Sequence, residues 1–393
     1  MQAYSTHNLK TVGIFNDSFP PIMDGVSLTA HNYAYWLNEK KQAVCVFTPR
    51  IPDYIDAEQY PVYRYASIPM YSRKPYRLGL PEIDPSLKTT IDRIPFGLVH
   101  AHCPFSSGIT ALRIAKEQKV PIVATFHSKY RQDFEQSVHS KFIAKLMTNH
   151  IMRFYDKADE VWIPQPSVEE IIREYGFKGK VEVVGNGNDF DSNEPLEPIR
   201  LEARQHLQIG DHETVFLFVG QITWEKNIRM IVESLHMIDD LPFKMYFVGS
   251  GYASDNLKQL VEESGLSNKV VFTGIISDRK LLKQYYAAAD LFLFPSTYDT
   301  WAIVIHEAAA LQTPSLLVNN STISNVIKND CDGFLADNNV TSFASRLREL
   351  ILKPALLKAA GLKASKTINR SWESVSEEVL DRYQHLSRRY HNK

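Results

Sequence analysis

Short apolar runs alternate along this chain with longer stretches in which apolar residues recur at helical spacing. Thr11–Phe15, Val44–Thr48, Leu98–Ala101, Val120–Phe126, Glu160–Ile163 and Val181–Val184 read as buried strands. Helical patterns lie between them at Ser27–Leu37, Ser107–Gln118, Ser140–Tyr155 and in a segment ending before Gly176. The alternation restarts at Thr214–Val219 and continues through Lys244–Val248, Val270–Thr273, Leu291–Phe294 and Ser315–Val318. Its helices are expected at Ile228–Leu235, Ser254–Ser264, Ser277–Ala288, after Thr300, and at Val340–Leu352. Strand and helix in turn across both halves predict an α/β fold: two Rossmann-like domains with parallel sheets facing a central cleft. A charged, proline-bearing stretch suggests the boundary, giving a first domain over 1–190, a linker over 191–212 and a second domain over 213–370. Tyr60–Pro81, dense in Tyr, Pro and Arg, reads as an ordered surface loop.

In doubly wound sheets, ligands sit at the carboxyl ends of the strands, and helix N-termini offer free N–H groups to anions. The segment Leu291–Leu317 has that layout, with Asp299 in the loop and Glu307 about two turns into the helix. Asp299 suits a helix cap as well as a ligand contact, and Glu307 a solvated or paired place as well as a ribose contact. Strand ends followed by Gly220 and by Gly249-Ser250-Gly251 would join that loop, and Lys226 adds a cation suited to a diphosphate. Gly25, at the turn into the first helix, reads either as a turn residue or as room for backbone amides to approach a phosphate. His127 ends a strand, which suits a ligand crevice or a satisfied structural histidine. Neither a dinucleotide G-x-G-x-x-G after the first strand of either half nor a GxxxxGK[ST] loop is present.

Composition narrows the classes. At 393 residues, two cores are the better expectation, and the net charge of −1 argues against nucleic acid as a partner. Cys45, Cys103 and Cys331 show no metal or redox spacing and read as small apolar residues in a reducing compartment. The first ten residues lack a signal-peptide core and no 18-residue apolar run occurs, so a cytoplasmic location is expected. Lys226 and helix N-termini would take the place of a metal ion, so no metal and no cofactor is expected. Ser140–Tyr155 is amphipathic and basic, fit to cover its own sheet or to lie on a membrane surface.

Several ordered pieces resemble the retaining family 4 glycosyltransferases of GT-B fold: PPIMDGVS, ATFHSKY, VVGNGNDF, VGQITWEKN, FVGSG, PSTYDTWAIVIHEAAALQTPSLL and SWESV. The resemblance implies transfer of a sugar from a UDP- or GDP-sugar to an acceptor hydroxyl with retention. It implies that Lys226 holds the diphosphate, Glu307 the ribose and Asp299 sugar hydroxyls. His127 would contact the sugar near its reacting carbon, and Gly25 would let a loop close over the phosphates. Gly220, Gln221, Gly249, Gly251, Thr300, Trp301 and Ala302 complete the expected donor site, and 371–393 would form a helix crossing back to the first domain. Gln221 stands where the family usually has arginine, Asp299 is shorter than the usual glutamate, Trp301-Ala302 replace Phe-Gly, and Gly185 replaces proline. The Tyr/Arg loop is similar to that of members that glucosylate diacylglycerol. Arg77, Lys129, Tyr130, Lys141 and Lys145 are then acceptor or membrane contacts, and an anionic membrane surface, with a peripheral location at the inner face of the cell membrane, is a candidate partner. A soluble sugar or glycan precursor is the other acceptor class, and a non-catalytic sugar-nucleotide or glycan-binding protein the other function class.

Overall fold

Two sheets, each wholly parallel, organise the computed structural model, which describes residues 9–22, 24–190, 195–210 and 212–392. The chain begins β1 (Thr11–Phe15), α1 (Gly25–Glu39), β2 (Val44–Pro49), β3 (Val62–Tyr65), β4 (Ser67–Pro69), β5 (Arg77–Gly79), α2 (Pro85–Arg93) and β6 (Phe96–Ala101). It continues α3 (Ser106–Gln118), β7 (Ile122–Thr125), α4 (Tyr130–Val138), α5 (Lys141–Tyr155), β8 (Glu160–Ile163), α6 (Val168–Glu174) and β9 (Val181–Val183). The second half holds α7 (Leu196–His206), β10 (Thr214–Val219), α8 (Ile228–His236), β11 (Phe243–Val248), α9 (Ser254–Glu263) and β12 (Val270–Gly274). Then follow α10 (Arg279–Ala288), β13 (Leu291–Phe294), α11 (Ile303–Ala310), β14 (Ser315–Val318), β15 (Phe334–Ala336), α12 (Val340–Ile351), α13 (Pro354–Thr367) and α14 (Trp372–His391).

The first sheet runs β3-β2-β1-β6-β7-β8-β9 and the second β12-β11-β10-β13-β14-β15. Both orders reverse at their first strand, so the loops after β1 and β6, and after β10 and β13, diverge and leave a crevice at the carboxyl edge. The strands are apolar on both faces because helices cover both; β2, β6, β7, β13 and β14 are buried at every position.

The chain divides into two compact units, one up to Asn186 plus Trp372 onward, the other from Gly187 to Ser371. In the first, α14 is fastened to the sheet by polar and aromatic contacts. Tyr383 stacks on Trp162 with centroids 5.5 Å apart, Trp372 meets Tyr33 edge-on at 5.9 Å, and Lys40 pairs with Glu377 at 3.0 Å.

Several expectations need correction. Most of the stretch expected as a linker, 191–212, belongs to the second unit: α7 packs on α10, and Arg200 and Arg204 both reach Asp290. The helical spacing there was hidden by prolines and by charges that turn out to be buttresses. Residues 191–194 and 211 of that stretch lie outside the described residues. Tyr60–Pro81 is less irregular than its composition suggests, since β3 extends the first sheet and β4 and β5 form a small antiparallel ribbon. Glu307 lies little more than one turn into α11, which starts at Ile303.

Trp372, 2% exposed, is the largest apolar anchor of α14. Trp372→Ala should cost ~3–5 kcal/mol, seen as a lower melting temperature and faster proteolytic cleavage within residues 372–391. Unchanged resistance to protease would contradict this anchoring.

Candidate functional site

The crevice of the second unit is built from the loops after β10 and β13. Gly220 leaves β10 with φ of +152°, and its N–H donates to Val248 O at 3.0 Å, laying this loop beside the one after β11. Ile222 N donates to Ser250 O at 3.0 Å in the same strip. Gly249 and Gly251 are glycines because of that contact: a Cβ on the first would fall 1.9 Å from Gly220 O, and on the second 2.3 Å from Ile222 O. Gln221 is exposed on this loop.

A short 3-10 turn, Trp224–Lys226, then brings Lys226 back across the sheet edge. Its ammonium pairs with Asp299, and lies 5.3 Å from the Phe294 ring centroid. Asp299 also accepts from Ser296 Oγ at 2.5 Å. Two residues expected on different parts of a donor are therefore partners. The ammonium still has two donors to spare after this bond. Asn227, with φ of +58°, braces the corner by donating to Asn338 Oδ1 at 2.9 Å and Pro295 O at 3.4 Å.

After Asp299 the chain passes buried Thr300, half-buried Trp301 and Ala302, the N-cap of α11. Among the described residues no side chain caps α11, which leaves the Ile303 and Val304 N–H groups at this edge while Ile305 N donates to Ala302 O at 3.0 Å. Trp301 stacks on His306 with centroids 4.2 Å apart. Trp301 Nε1 and His306 Nε2 are buried without a hydrogen-bond partner among the described residues. Glu307 is buried and accepts from Tyr286 Oη and Arg279 Nη2, both at 2.7 Å. Burial opposes the charge of Arg279, but Glu307 and Asp189 outweigh it and hold the guanidinium above its ordinary value. Burial, reinforced by Glu307, pushes the Tyr286 phenol well up.

In the first unit, Asp24 caps α1 by accepting from Val26 N at 2.9 Å and Ser27 N at 2.8 Å. Gly25 is exposed, and a Cβ there would meet nothing within 4 Å, so no protein contact requires glycine. At the crevice between β1 and β6, Asp17 accepts from Cys103 Sγ at 2.6 Å and from Ser107 N and Oγ, each at 3.1 Å. Beside it three histidines stack. His127 Nε2 lies 3.1 Å from His102 Nδ1, and the His102 and His100 rings are 4.1 Å apart. His100 in turn meets Tyr383 Oη at 2.5 Å and Thr125 Oγ1 at 2.7 Å. Burial pushes His100 and His102 well below the ordinary value and His127 to about 3, so all three are neutral imidazoles.

The expected acceptor contacts divide. Lys141 and Lys145 are exposed on α5, whose outer face also shows Phe142, Ile143, Leu146 and Met147. Tyr130 belongs to the core, its hydroxyl 3.2 Å from that of Tyr155, and Lys129 is buried at the N-cap of α4. Arg77 braces the β4–β5 ribbon through Ser67 at 2.8 and 3.1 Å. Sequence reasoning missed Asp17, Asp24, Asn227, Tyr286 and Arg279. Asp24 alone had a local signal, an acid just before the first helix; the others act across elements.

Known families share this layout. A profile described as Glycosyltransferase Family 4 matches residues 23–192, and one described as Glycosyl transferases group 1 matches residues 199–367. An alpha-monoglucosyldiacylglycerol synthase of Streptococcus pneumoniae is 26% identical over 82% of this chain and 74% of its own. Sulfoquinovosyl transferase SQD2 of Arabidopsis thaliana is 25% identical over 94% of this chain and 72% of its own. Among solved structures, a sucrose-phosphate synthase from Thermosynechococcus elongatus superposes with a TM-score of 0.82 at 20% identity, covering 96% of this chain and 99% of its own. Anabaena HepE, in complex with UDP and glucose, gives 0.77 at 16% identity, over 96% and 99%.

In the unfolded chain an imidazole protonates below about 6.5, while the folded His127 stays neutral down to about 3. His306, held by burial at about 4, behaves alike. The unfolded state thus binds more protons as pH falls through this window, and stability is lost at ~1.4 kcal/mol per pH unit for each such imidazole. The urea midpoint at pH 5 should lie clearly below that at pH 7; equal midpoints would contradict neutral, buried rings.

Proposed function

The chain belongs to the group 1 glycosyltransferases, with a family 4 first domain, and on that footing we propose that it moves a sugar from a nucleotide-diphosphate sugar to an acceptor hydroxyl with retention at the anomeric carbon. The observation that carries the reading is Lys226 beside Asp299 where the sheet order reverses, with Glu307 one turn into the helix that follows. The Lys226 ammonium meets the diphosphate, together with the free N–H groups that begin α11. Asp299, relieved of that partner, accepts hydroxyls of the sugar. Glu307 takes the ribose. Trp301 and Ala302 shape the turn between them.

We read the two acids as hydroxyl acceptors rather than as the carboxylate pair of a retaining glycosidase. We therefore assign a front-side displacement: the bond from anomeric carbon to leaving phosphate oxygen breaks as the acceptor oxygen attaches on the same face. The phosphate oxygen takes the acceptor proton. Catalysis is then positioning and stabilisation of the departing diphosphate, and the reading needs no metal or cofactor.

The acceptor we propose is a membrane lipid such as diacylglycerol. One of the relatives reported above is named as a synthase of a glucosyldiacylglycerol, and α5 supports the reading independently. Phe142 is 72% and Leu146 53% exposed beside exposed Lys141 and Lys145, a face suited to an anionic bilayer surface. Among the described residues, no helix is long and apolar enough to cross a membrane, so attachment by this face is peripheral.

Lys226→Ala should lower turnover at saturating donor by about 10²–10³ with little loss of thermal stability; near-normal turnover would overturn the diphosphate role.

Sedimentation should show binding to anionic but not neutral liposomes, weakened by salt. Each basic residue contributes ~1 kcal/mol, so Lys141→Glu with Lys145→Glu should abolish most of it. Negligible binding to both vesicle types would remove the lipid reading and leave a soluble acceptor.

A further inference from the structure

We propose that Arg279 and Tyr286, on one face of α10, are positioning residues that set the Glu307 carboxylate to recognise two adjacent ribose hydroxyls. The inference rests on the donor reading above and deepens it. The two residues are seven apart, two helical turns, and therefore point the same way from α10. Arg279 Nη2 donates to Glu307 Oε1 and Tyr286 Oη to Oε2, each at 2.7 Å, so a single helix grips both oxygens. A carboxylate has about four acceptor sites. One on each oxygen is thus occupied and one on each remains, the number and spacing that a vicinal diol needs. The grip also fixes the carboxylate plane, since rotation would break one bond or the other.

Arg279 is itself held. Its Nε donates to Asp189 Oδ2 at 2.9 Å, Nη2 pairs with Asp189 Oδ1, and the guanidinium lies 4.4 Å from the Phe190 ring centroid. Phe190 packs against Tyr286 with centroids 5.6 Å apart, closing the set. Asp189 is anchored through its neighbour, for Asn188 N donates to Arg370 O at 2.9 Å. A flat guanidinium satisfies this geometry; an ammonium would keep the charge and lose the fork.

The test is competitive inhibition of donor turnover by UDP against 2′-deoxy-UDP and 3′-deoxy-UDP, and by GDP against its two deoxy analogues. In the unaltered protein each missing hydroxyl should weaken binding of the recognised nucleotide about tenfold or more, as for a hydrogen bond to a charged group. Arg279→Lys and Tyr286→Phe, which preserve charge and volume, should bring that ratio below about threefold while kcat at saturating donor stays within about twofold. Arg279→Ala strands two carboxylates and is judged only if its melting curve is cooperative. If the unaltered protein does not distinguish ribose from deoxyribose, the ribose assignment of Glu307 falls and this inference with it. If it does distinguish them and both conservative variants keep the full ratio, the positioning role alone is overturned.

Discussion

The constraint on which the structure depends is parallel pairing around a strand that lies in the middle of its sheet. β1 pairs with β2 on one side and β6 on the other; β10 does the same with β11 and β13. Chain leaving the central strand and chain leaving its later neighbour must then turn to opposite faces, and the crevice between them cannot be filled by the sheet's own helices. Each unit spans that crevice with charge and hydrogen bonds. In the first unit Asp17 bridges to the Cys103–Ser107 segment, and in the second Lys226 bridges to Asp299. The second bridge is made of the groups that a diphosphate sugar would separate, one to phosphate and one to hydroxyl.

Charge in the second unit follows a consistent scheme. Acids that reach the crevice are faced by cations from neighbouring elements: Asp299 by Lys226, and Glu307 by Arg279 from α10. A buried carboxylate without such a partner would be expensive, so the cation is part of what allows an acid to stand there as a hydrogen-bond acceptor. At the corresponding edge of the first unit, the Asp17 carboxylate is faced by the Cys103 thiol and by Ser107. His100, His102 and His127 are neutral, and they connect a strand end to Tyr383 on α14. The C-terminal helix and the expected sugar-contacting histidine therefore belong to one polar network.

Strand and helix identities were legible wherever apolar period and length agreed. β8, β10, β13 and β14 lie where their apolar runs place them, and α5 begins at a serine that caps it. Lys226, Asp299 and Glu307 were legible as candidates because each follows a strand end. Their partners were not: Arg279 is 28 residues from Glu307 and Lys226 is 73 from Asp299, and no local spacing encodes such pairs. Tyr130, expected from the resemblance as an acceptor or membrane contact, is turned by the start of α4 into the core beside Phe126 and Tyr155. Gly249 and Gly251 looked like phosphate-loop glycines, but backbone against backbone explains both. Gly25 is the opposite case, a glycine that no contact among the described residues demands.

The central claim is that the second unit's crevice holds a nucleotide-diphosphate sugar and that the protein turns it over. Incubating the purified protein with individual UDP- and GDP-sugars, without acceptor, and measuring released nucleoside diphosphate tests it directly. Slow release from one nucleotide series, absent from the other, is the predicted result. Saturable binding of a sugar nucleotide with no release, and no transfer when candidate lipid and sugar acceptors are added, would contradict it and mark the protein as a non-catalytic sugar-nucleotide binder.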